Sequence, residues 1–204
     1  MNIGLYFGTF NPIHIGHLVI ANHIVEQTIL DQVWFVVTPQ NPLKNKSSLL
    51  KDSHRLAMVR EAVYDSPKLK ASDIEFTLSK PNYTAITLAH IMDKHPDHSF
   101  SLIMGEDNLR NFHKWKNYEN ILSNHTIYVY PRVLTPQEED EYKSLNTDEI
   151  DKLRANKNII YCQDAPVMRI SASFIRKSIK ENNDVRFLLS EPVHKYVEEM
   201  HFYK

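Results

Sequence analysis

The chain has a single cysteine, Cys162, among its 204 residues. One cysteine cannot form an intramolecular disulfide, and this suits a reducing compartment such as the cytoplasm. Free cysteine is among the most buried residue types, so we expect Cys162 to be a small buried side chain in a strand. The sequence therefore predicts a cytoplasmic protein without internal disulfides.

Neither sign of charge is in excess, since 24 Lys and Arg side chains face 25 Asp and Glu side chains. A protein that coats a nucleic-acid polymer needs a basic surface, because phosphate contacts supply most of its affinity. The charge balance therefore argues against a nucleic-acid partner. It does not exclude a mononucleotide, which needs only a few local cations.

Long hydrophobic runs are also missing. No apolar stretch approaches the roughly 20 residues that a membrane helix needs, so we expect no membrane partner. Residues 3–7 already read as a strand, with no basic segment and apolar segment before them, so no signal peptide is expected. The sequence shows no internal repeat and no flexible linker, and its length predicts one domain, residues 1–204.

Short β-type runs alternate with helix-type stretches along the chain. This alternation predicts an α/β fold with right-handed crossovers and a mainly parallel sheet flanked by helices. The predicted strands span residues 3–7, 33–38, 73–78, 100–104, 126–130 and 159–162. The predicted helices span residues 15–29, 53–64 with Ser53 as its cap, 84–94, 115–122 and 191–202. The charged segment 136–157 is interpreted as one or two solvated surface helices.

The segment from Gly8 to His17 lies between the first predicted strand and the first predicted helix. Ligands bind at the carboxyl ends of parallel strands, and a helix that begins there directs free N–H groups toward an anion. His14 and His17 are three residues apart and would share one helix face, with Gly16 keeping the surface between them low. The pattern is typical of a phosphate site. A chance pair of histidines, or two ligands of a zinc site without its other ligands, remain alternatives.

Two segments resemble motifs of the nucleotidyltransferase superfamily. Residues 8–17, GTFNPIHIGH, resemble its first signature, and residues 170–176, ISASFIR, resemble its second, Ile-Ser-Ser-Thr-x-Ile-Arg. The motifs stand in the family's order near opposite ends of the chain. The resemblance implies a Rossmann-like nucleotidyltransferase fold and an enzyme that transfers a nucleotidyl group.

Further stretches resemble the nicotinate-nucleotide adenylyltransferase family within that superfamily. They are residues 39–44, 54–58, 80–88 and 105–109, followed by Phe112, Trp115, Ile121 and Leu122. The chain departs from the family pattern at four positions. Phe7 stands where many members have a second glycine, and Asn11 replaces a frequent Asp. Ile86 replaces an Asp, and Ala172 replaces a Ser. Asn11 keeps a side-chain carbonyl for turn formation, whereas Ile86 cannot form a hydrogen bond through its side chain.

The resemblance implies adenylyl transfer from ATP to nicotinate mononucleotide, which gives deamido-NAD and pyrophosphate in NAD biosynthesis. The mononucleotide phosphate attacks the α-phosphorus directly, so catalysis depends on positioning and on neutralising charge. Mg²⁺ is implied as a cofactor bound mainly through the ATP phosphates, with no protein metal site. ATP and nicotinate mononucleotide are the implied partners, and a homo-oligomer is left open.

The resemblance also implies roles for individual residues. The residues implied to be catalytic are His14, His17, Lys44 and Arg176. Those implied to bind ATP and its phosphates are Gly8, Thr9, Phe10, His14, His17, Gly105, Asp107, Ile170, Ser173 and Arg176. Those implied to bind nicotinate mononucleotide are Thr9, Lys44, Tyr83, Thr84 and Trp115. Four of these have a structural alternative: Trp115 as core, Lys44 as a solvated loop residue, Arg176 as part of an exposed basic face, and Asp107 as a helix cap.

Other functions compete with this one. Superfamily members that act on pantetheine phosphate or use a cytidylyl donor share both phosphate motifs but lack the stretches around Tyr83 and Trp115. A class I aminoacyl-tRNA synthetase shares the signature of residues 14–17, but this chain has no room for an anticodon-binding region. A nucleotide-binding regulator would not need His14 and His17. Preference between nicotinate and nicotinamide mononucleotide depends on backbone N–H groups around the ring, so the sequence leaves it open.

Overall fold

Six strands form one sheet in the computed structural model, which describes residues 1–39, 49–133 and 147–204. They are β1 (Asn2–Gly8), β2 (Gln32–Val37), β3 (Leu69–Ser72), β4 (Ser99–Gly105), β5 (Ile127–Tyr130) and β6 (Ile159–Tyr161). Their order across the sheet is β3-β2-β1-β4-β5-β6, and every neighbouring pair is parallel. The predicted α/β fold with a mainly parallel sheet is confirmed.

Helices cover both faces of this sheet. In the described residues they are α1 (Ile15–Gln27), α2 (Asp52–Val63), α3 (Thr84–Lys94), α4 (Glu106–Arg110), α5 (Tyr118–Asn124), α6 (Thr147–Arg154), α7 (Ala172–Lys180) and α8 (Glu191–Glu199). Apolar side chains of α1, α2, α7 and α8 form one core cluster, and those of α3, α4, α5 and α6 form the other. Strand β1 serves both, because alternate residues point to opposite faces: Leu5 lies in one cluster and Tyr6 in the other.

The predicted strand at 73–78 is wrong. The edge strand β3 comes just before it, and Ile74–Thr77 forms a 3₁₀ turn instead. The Phe76 N–H donates to the Asp73 carbonyl over 2.8 Å, which turns the chain away from the sheet. Ile74 and Glu75 are both buried in that turn. The residues that resemble a strand in the sequence are therefore buried by the 3₁₀ turn and not by pairing in the sheet.

Several predicted helix ends also move. The helix predicted at 115–122 begins at Tyr118, because Asn117 before it has a left-handed φ of 57°. The helix predicted at 191–202 ends at Glu199, ahead of a left-handed His201. Ser53 is not the cap of α2, since Lys51 occupies that position.

The described part of the charged segment 136–157 includes α6. The first part of the segment, up to residue 146, lies outside the described residues. Arg154 of α6 forms an ion pair with Glu106 of α4. Cys162 lies just after β6 and is only partly buried, so the prediction of a buried side chain within a strand is wrong. No helix of the described chain is long and apolar enough to cross a membrane.

The strand order reverses beside β1. The chain leaves β1 toward β2 on one side and later returns to β4 on the other. In parallel sheets such a reversal opens a crevice at the carboxyl ends of the two strands, where ligands bind. Here those ends are Gly8 and Gly105.

Candidate active site

A cavity of about 1000 Å³ opens at the carboxyl ends of β1 and β4. Its lining contains the predicted site residues Gly8, Thr9, Phe10, His14, His17, Tyr83, Thr84, Gly105, Asp107, Trp115, Ile170, Ser173 and Arg176. The remaining predicted residue, Lys44, lies outside the described residues. Segments that are far apart in the sequence therefore meet around one space.

The two histidines of the first motif stack on each other. Helix α1 begins at Ile15, so His14 is its N-cap and has an extended backbone, and His17 lies in the first turn. The ring centroids are 3.7 Å apart. The His14 backbone N–H donates to Nδ1 of His17 over 3.3 Å. Because Nδ1 accepts, a neutral His17 carries its proton on Nε2 and can donate it to a ligand.

His14 is in an environment that disfavours its charged form. Its side chain belongs to a residue only 5% exposed, and burial together with the nearby positive charge of Arg132 lowers its pKa to about 4. Its Nδ1 is buried without a hydrogen-bond partner in the described part of the chain. At neutral pH His14 is therefore uncharged.

A buried arginine shapes the turn after β1. Arg55 of α2 is fully buried, and its guanidinium donates to the carbonyls of Thr9 over 2.5 Å and Thr38 over 2.9 Å. The same side chain donates to the carbonyl of Leu50 and pairs with Asp52. The carbonyl of Thr9 is thus bound on the protein side of the turn. Sequence reasoning missed this role, because an arginine in a helix gives no sign of being buried.

Gly8 is required by a close approach within the same turn. A Cβ at this position would lie 2.7 Å from Cζ of Phe10, a distance that packed side chains do not tolerate. Phe10 has a left-handed φ of 46°, and its ring is buried beneath Gly8 and His17. The turn therefore keeps a bare backbone at the cavity floor.

The second motif is attached directly to the first. Helix α7 is capped by Ser171, whose hydroxyl accepts the Phe174 N–H over 3.1 Å. Arg176 donates to the backbone carbonyl of Asn11 over 2.8 Å and to the Ser173 hydroxyl over 3.3 Å. The start of α7, which favours anions, and the Arg176 side chain both line the cavity.

The end of β4 forms another wall. Asp107, in the first turn of α4, forms an ion pair with Arg132, and its Oδ1 is buried without a hydrogen-bond partner among the described residues. Beneath it the hydroxyls of Tyr6 and Tyr130 are 2.8 Å apart, and burial raises the pKa of Tyr130 to about 12. Sequence reasoning missed Arg132, although a cation two residues after the predicted strand 126–130 was an available signal.

Another part of the cavity lining contains the Tyr-Thr stretch and the tryptophan. Helix α3 begins at Thr84 with Tyr83 as its N-cap, and Nζ of Lys116 lies 4.8 Å from the Tyr83 ring centroid. Trp115 lines the cavity and contacts Phe112 edge to face, with centroids 5.4 Å apart. Tyr83, Thr84 and Trp115 therefore line the cavity, and Trp115 also packs against the core.

Glu75 belongs to this part of the cavity lining, whereas Ile86 does not. Glu75 is 1% exposed, lines the cavity and accepts a hydrogen bond from the Thr87 hydroxyl over 2.7 Å. Burial raises its pKa. Sequence reasoning missed it because it stood in a predicted strand. Ile86, which replaces a family Asp, is 45% exposed and is not part of the cavity lining, so its change lies outside the site.

Carboxylates do not form a metal cage here. Within the described ranges, no group of three or more His, Cys, Asp or Glu side chains is placed to hold a metal ion. In the described part of the lining the carboxylates are those of Glu75, which accepts from the Thr87 hydroxyl, and Asp107, which pairs with Arg132.

Two phosphate motifs on one crevice of a parallel sheet define a nucleotidyltransferase of the Rossmann-like class. The cytidylyltransferase-like family model matches residues 5–178. A probable nicotinate-nucleotide adenylyltransferase of Flavobacterium psychrophilum is 57% identical over 204 residues, which is 100% of each chain. Another from Bacteroides thetaiotaomicron is 37% identical over 98% of this chain and 92% of its own. The chain belongs to the nicotinate-nucleotide adenylyltransferase family, as the resemblance of its motifs predicts.

Solved structures agree on the fold. The nicotinic acid mononucleotide adenylyltransferase of Plasmodium falciparum complexed with NaAD matches with a TM-score of 0.75. That likeness covers 99% of this chain and 97% of the other at 20% identity. At this identity the match concerns the path of the backbone.

Proposed function

We propose that this cavity transfers the adenylyl group of ATP to nicotinate mononucleotide and releases pyrophosphate. The observation that carries the proposal is the convergence of both phosphate motifs and the Tyr83–Trp115 wall on one cavity, in a chain of this family. A phosphate oxygen of the mononucleotide forms a bond to the α-phosphorus, and the bond from that phosphorus to the bridging β-oxygen breaks. The electron pair leaves with pyrophosphate, so no protein nucleophile takes part.

The ATP half lies on the two motifs. Nε2–H of His17 donates to the α-phosphate, where charge develops, and the turn at Gly8 and Thr9 supplies the bare backbone. Ser173 and Arg176 hold the β- and γ-phosphates at the start of α7. Asp107 and Gly105 face the adenosine ribose, and Phe10, His14 and Ile170 complete the phosphate wall.

Mg²⁺ enters with the nucleotide as MgATP. Among the described residues no cluster of three or more possible ligands is placed to hold a metal ion, which suits an ion whose ligands are phosphate oxygens and water. When bound with ATP, Mg²⁺ would neutralise charge on the triphosphate.

The mononucleotide half lies against the part of the lining that contains Tyr83, Thr84 and Trp115. Trp115 stacks on the pyridine ring, with Tyr83 and Thr84 beside it, and the start of α3 favours an anion. The ammonium of Lys116 adds positive charge to the same wall. Both effects favour a ring that bears a carboxylate over one that bears a neutral amide. Lys44, outside the described residues, is proposed to add a further cation.

Pyrophosphate release separates this function from its rivals. The assay pairs ATP with nicotinate mononucleotide, nicotinamide mononucleotide or pantetheine phosphate, and then replaces ATP by CTP. We expect the pair of ATP and nicotinate mononucleotide to react fastest, by at least about tenfold. This is the discrimination that one additional binding contact provides. A preference for CTP or for another acceptor would replace the proposed substrates. Nucleotide binding without pyrophosphate release from any pair would indicate a regulator.

A further inference from the structure

Asn11 is held by three segments that are remote from it in sequence. The residue is 2% exposed, and its side-chain Oδ1 accepts hydrogen bonds from the Tyr203 hydroxyl over 3.0 Å and from the Leu50 N–H over 3.2 Å. Its backbone carbonyl accepts the hydrogen bond from Arg176 over 2.8 Å. One residue of the first motif therefore connects the carboxyl-terminal segment to the arginine of the second motif.

The chemistry of the contact fixes its direction. A backbone N–H can only donate, so the Leu50 contact identifies the acceptor oxygen of the Asn11 amide. The hydroxyl of Tyr203 must then donate to the same oxygen. Burial raises the pKa of Tyr203, so the hydroxyl keeps its proton throughout the neutral range.

The last residues reach Asn11 by turning back after α8. His201 and Tyr203 have left-handed φ values of 53° and 66°, which cost energy for residues other than glycine. The turn is held by the Phe202 N–H, which donates to the Val197 carbonyl over 3.1 Å. The Phe202 ring also contacts the ring of His54, with centroids 4.9 Å apart. The segment is therefore built into the fold, with its strain offset by these contacts.

We propose that Tyr203 is a positioning residue for adenylyl transfer, which orients Asn11 and through it the guanidinium of Arg176 toward the phosphates. Tyr203 is not part of the cavity lining, so it acts through Asn11 rather than on the substrate. The inference rests on the proposed function, in which Arg176 holds the β- and γ-phosphates.

The chain offers a matched control in Tyr196 of α8. Its hydroxyl is 3.0 Å from Nδ1 of His54, so it also belongs to a partly buried tyrosine of the same terminal region. That contact does not involve the first or the second motif. Tyr203→Phe and Tyr196→Phe each remove one such hydroxyl and keep the ring.

Steady-state kinetics and ATP titration calorimetry on the full chain test the proposal. We expect Tyr203→Phe to raise the KM and Kd for ATP about tenfold, the size of one lost hydrogen bond, and to leave the KM for nicotinate mononucleotide within about twofold. Tyr196→Phe should leave all three constants within about twofold. Equal effects of the two substitutions on ATP, or none from Tyr203→Phe, would overturn the positioning role.

A double-mutant cycle tests the route through Arg176. If Tyr203 acts by orienting that guanidinium, Tyr203→Phe should weaken ATP binding far less in an Arg176→Lys background than in the wild type. Fully additive effects would contradict the route. If the wild type binds ATP but makes no deamido-NAD, the proposed function fails, while ATP titration of the same four proteins still decides the role of Tyr203.

Discussion

The imidazole of His14 lies stacked against that of His17, with centroids 3.7 Å apart and ring planes inclined by 23°. Two protonated rings at this separation would repel each other, and His14 is also buried beside the positive charge of Arg132. The pair therefore meets its ligand with at least His14 neutral. Such a pair suits hydrogen-bond donation to phosphate better than acid chemistry at His14.

The low pKa of His14 predicts a pH dependence of stability. The folded chain resists protonation of His14 until about pH 4, whereas the unfolded chain takes up the proton near pH 6.5. The free energy of unfolding should therefore be insensitive to this group above pH 6.5, and should fall by about 3 kcal/mol between there and pH 4. Urea unfolding of wild type and His14→Gln at pH 7.5 and 4.5 measures the difference. Identical losses in the two proteins would show that His14 does not titrate in this way.

Gly16→Ala should separate stability from activity. The added methyl would lie 3.1 Å from two atoms of the His14 ring, so the ring must shift by a few tenths of an ångström. We expect kcat to fall about tenfold, because phosphoryl transfer depends on position. Thermal unfolding should stay at or above the wild-type midpoint, since alanine favours the helix. A lower midpoint with unchanged kcat would mean that the methyl strains the fold and leaves the site intact.

Trp115 should affect the KM for the acceptor and not the KM for ATP. Replacing Trp115 by Leu removes the proposed stacking surface, so the KM for nicotinate mononucleotide should rise about tenfold or more, while the KM for ATP stays within about twofold. Tyr118→Leu is the control. Tyr118 packs on the same Phe112 ring, with centroids 5.8 Å apart, but does not line the cavity. Parallel rises in the acceptor KM of both variants would reduce Trp115 to a packing residue.

Arg55 should contribute strongly to the stability of the fold. Arg55→Met leaves the carbonyls of Thr9, Thr38 and Leu50 without their donor, and we expect the free energy of unfolding to fall by about 3–5 kcal/mol. Arg60→Met, on the same helix, breaks an exposed ion pair with Asp73 and should cost less than about 1 kcal/mol. Chemical denaturation of the two variants makes the comparison. Similar losses would show that the buried bonds of Arg55 contribute little.

The sequence was most informative where chemistry and chain order coincide. His14 and His17 stand three residues apart, and Ser173 and Arg176 do the same, so each half of the proposed phosphate clamp is visible as a local pattern. The alternation of strands and helices predicted the parallel sheet, and the sheet brings both halves to one crevice.

Other parts of the site depend on contacts between residues that are far apart in the sequence, and residue spacing does not reveal such contacts. Arg55, Arg132 and Tyr203 reach the first motif or its surroundings from three distant segments, and their spacing along the chain does not show that they meet there. Glu75 was hidden for a different reason. Its stretch has the apolar pattern of a strand, but burial there comes from a 3₁₀ turn and a hydrogen bond from Thr87.

Deamido-NAD formation by His17→Ala, at saturating ATP and nicotinate mononucleotide, tests the central claim most directly. We expect kcat to fall about 100-fold to 1000-fold, the usual cost of losing one donor to developing charge. Circular dichroism and the thermal midpoint should remain near those of the wild type, because His17 is only partly buried at the cavity edge. A folded variant whose kcat stays within about threefold of the wild type would remove His17 from the mechanism and contradict the account.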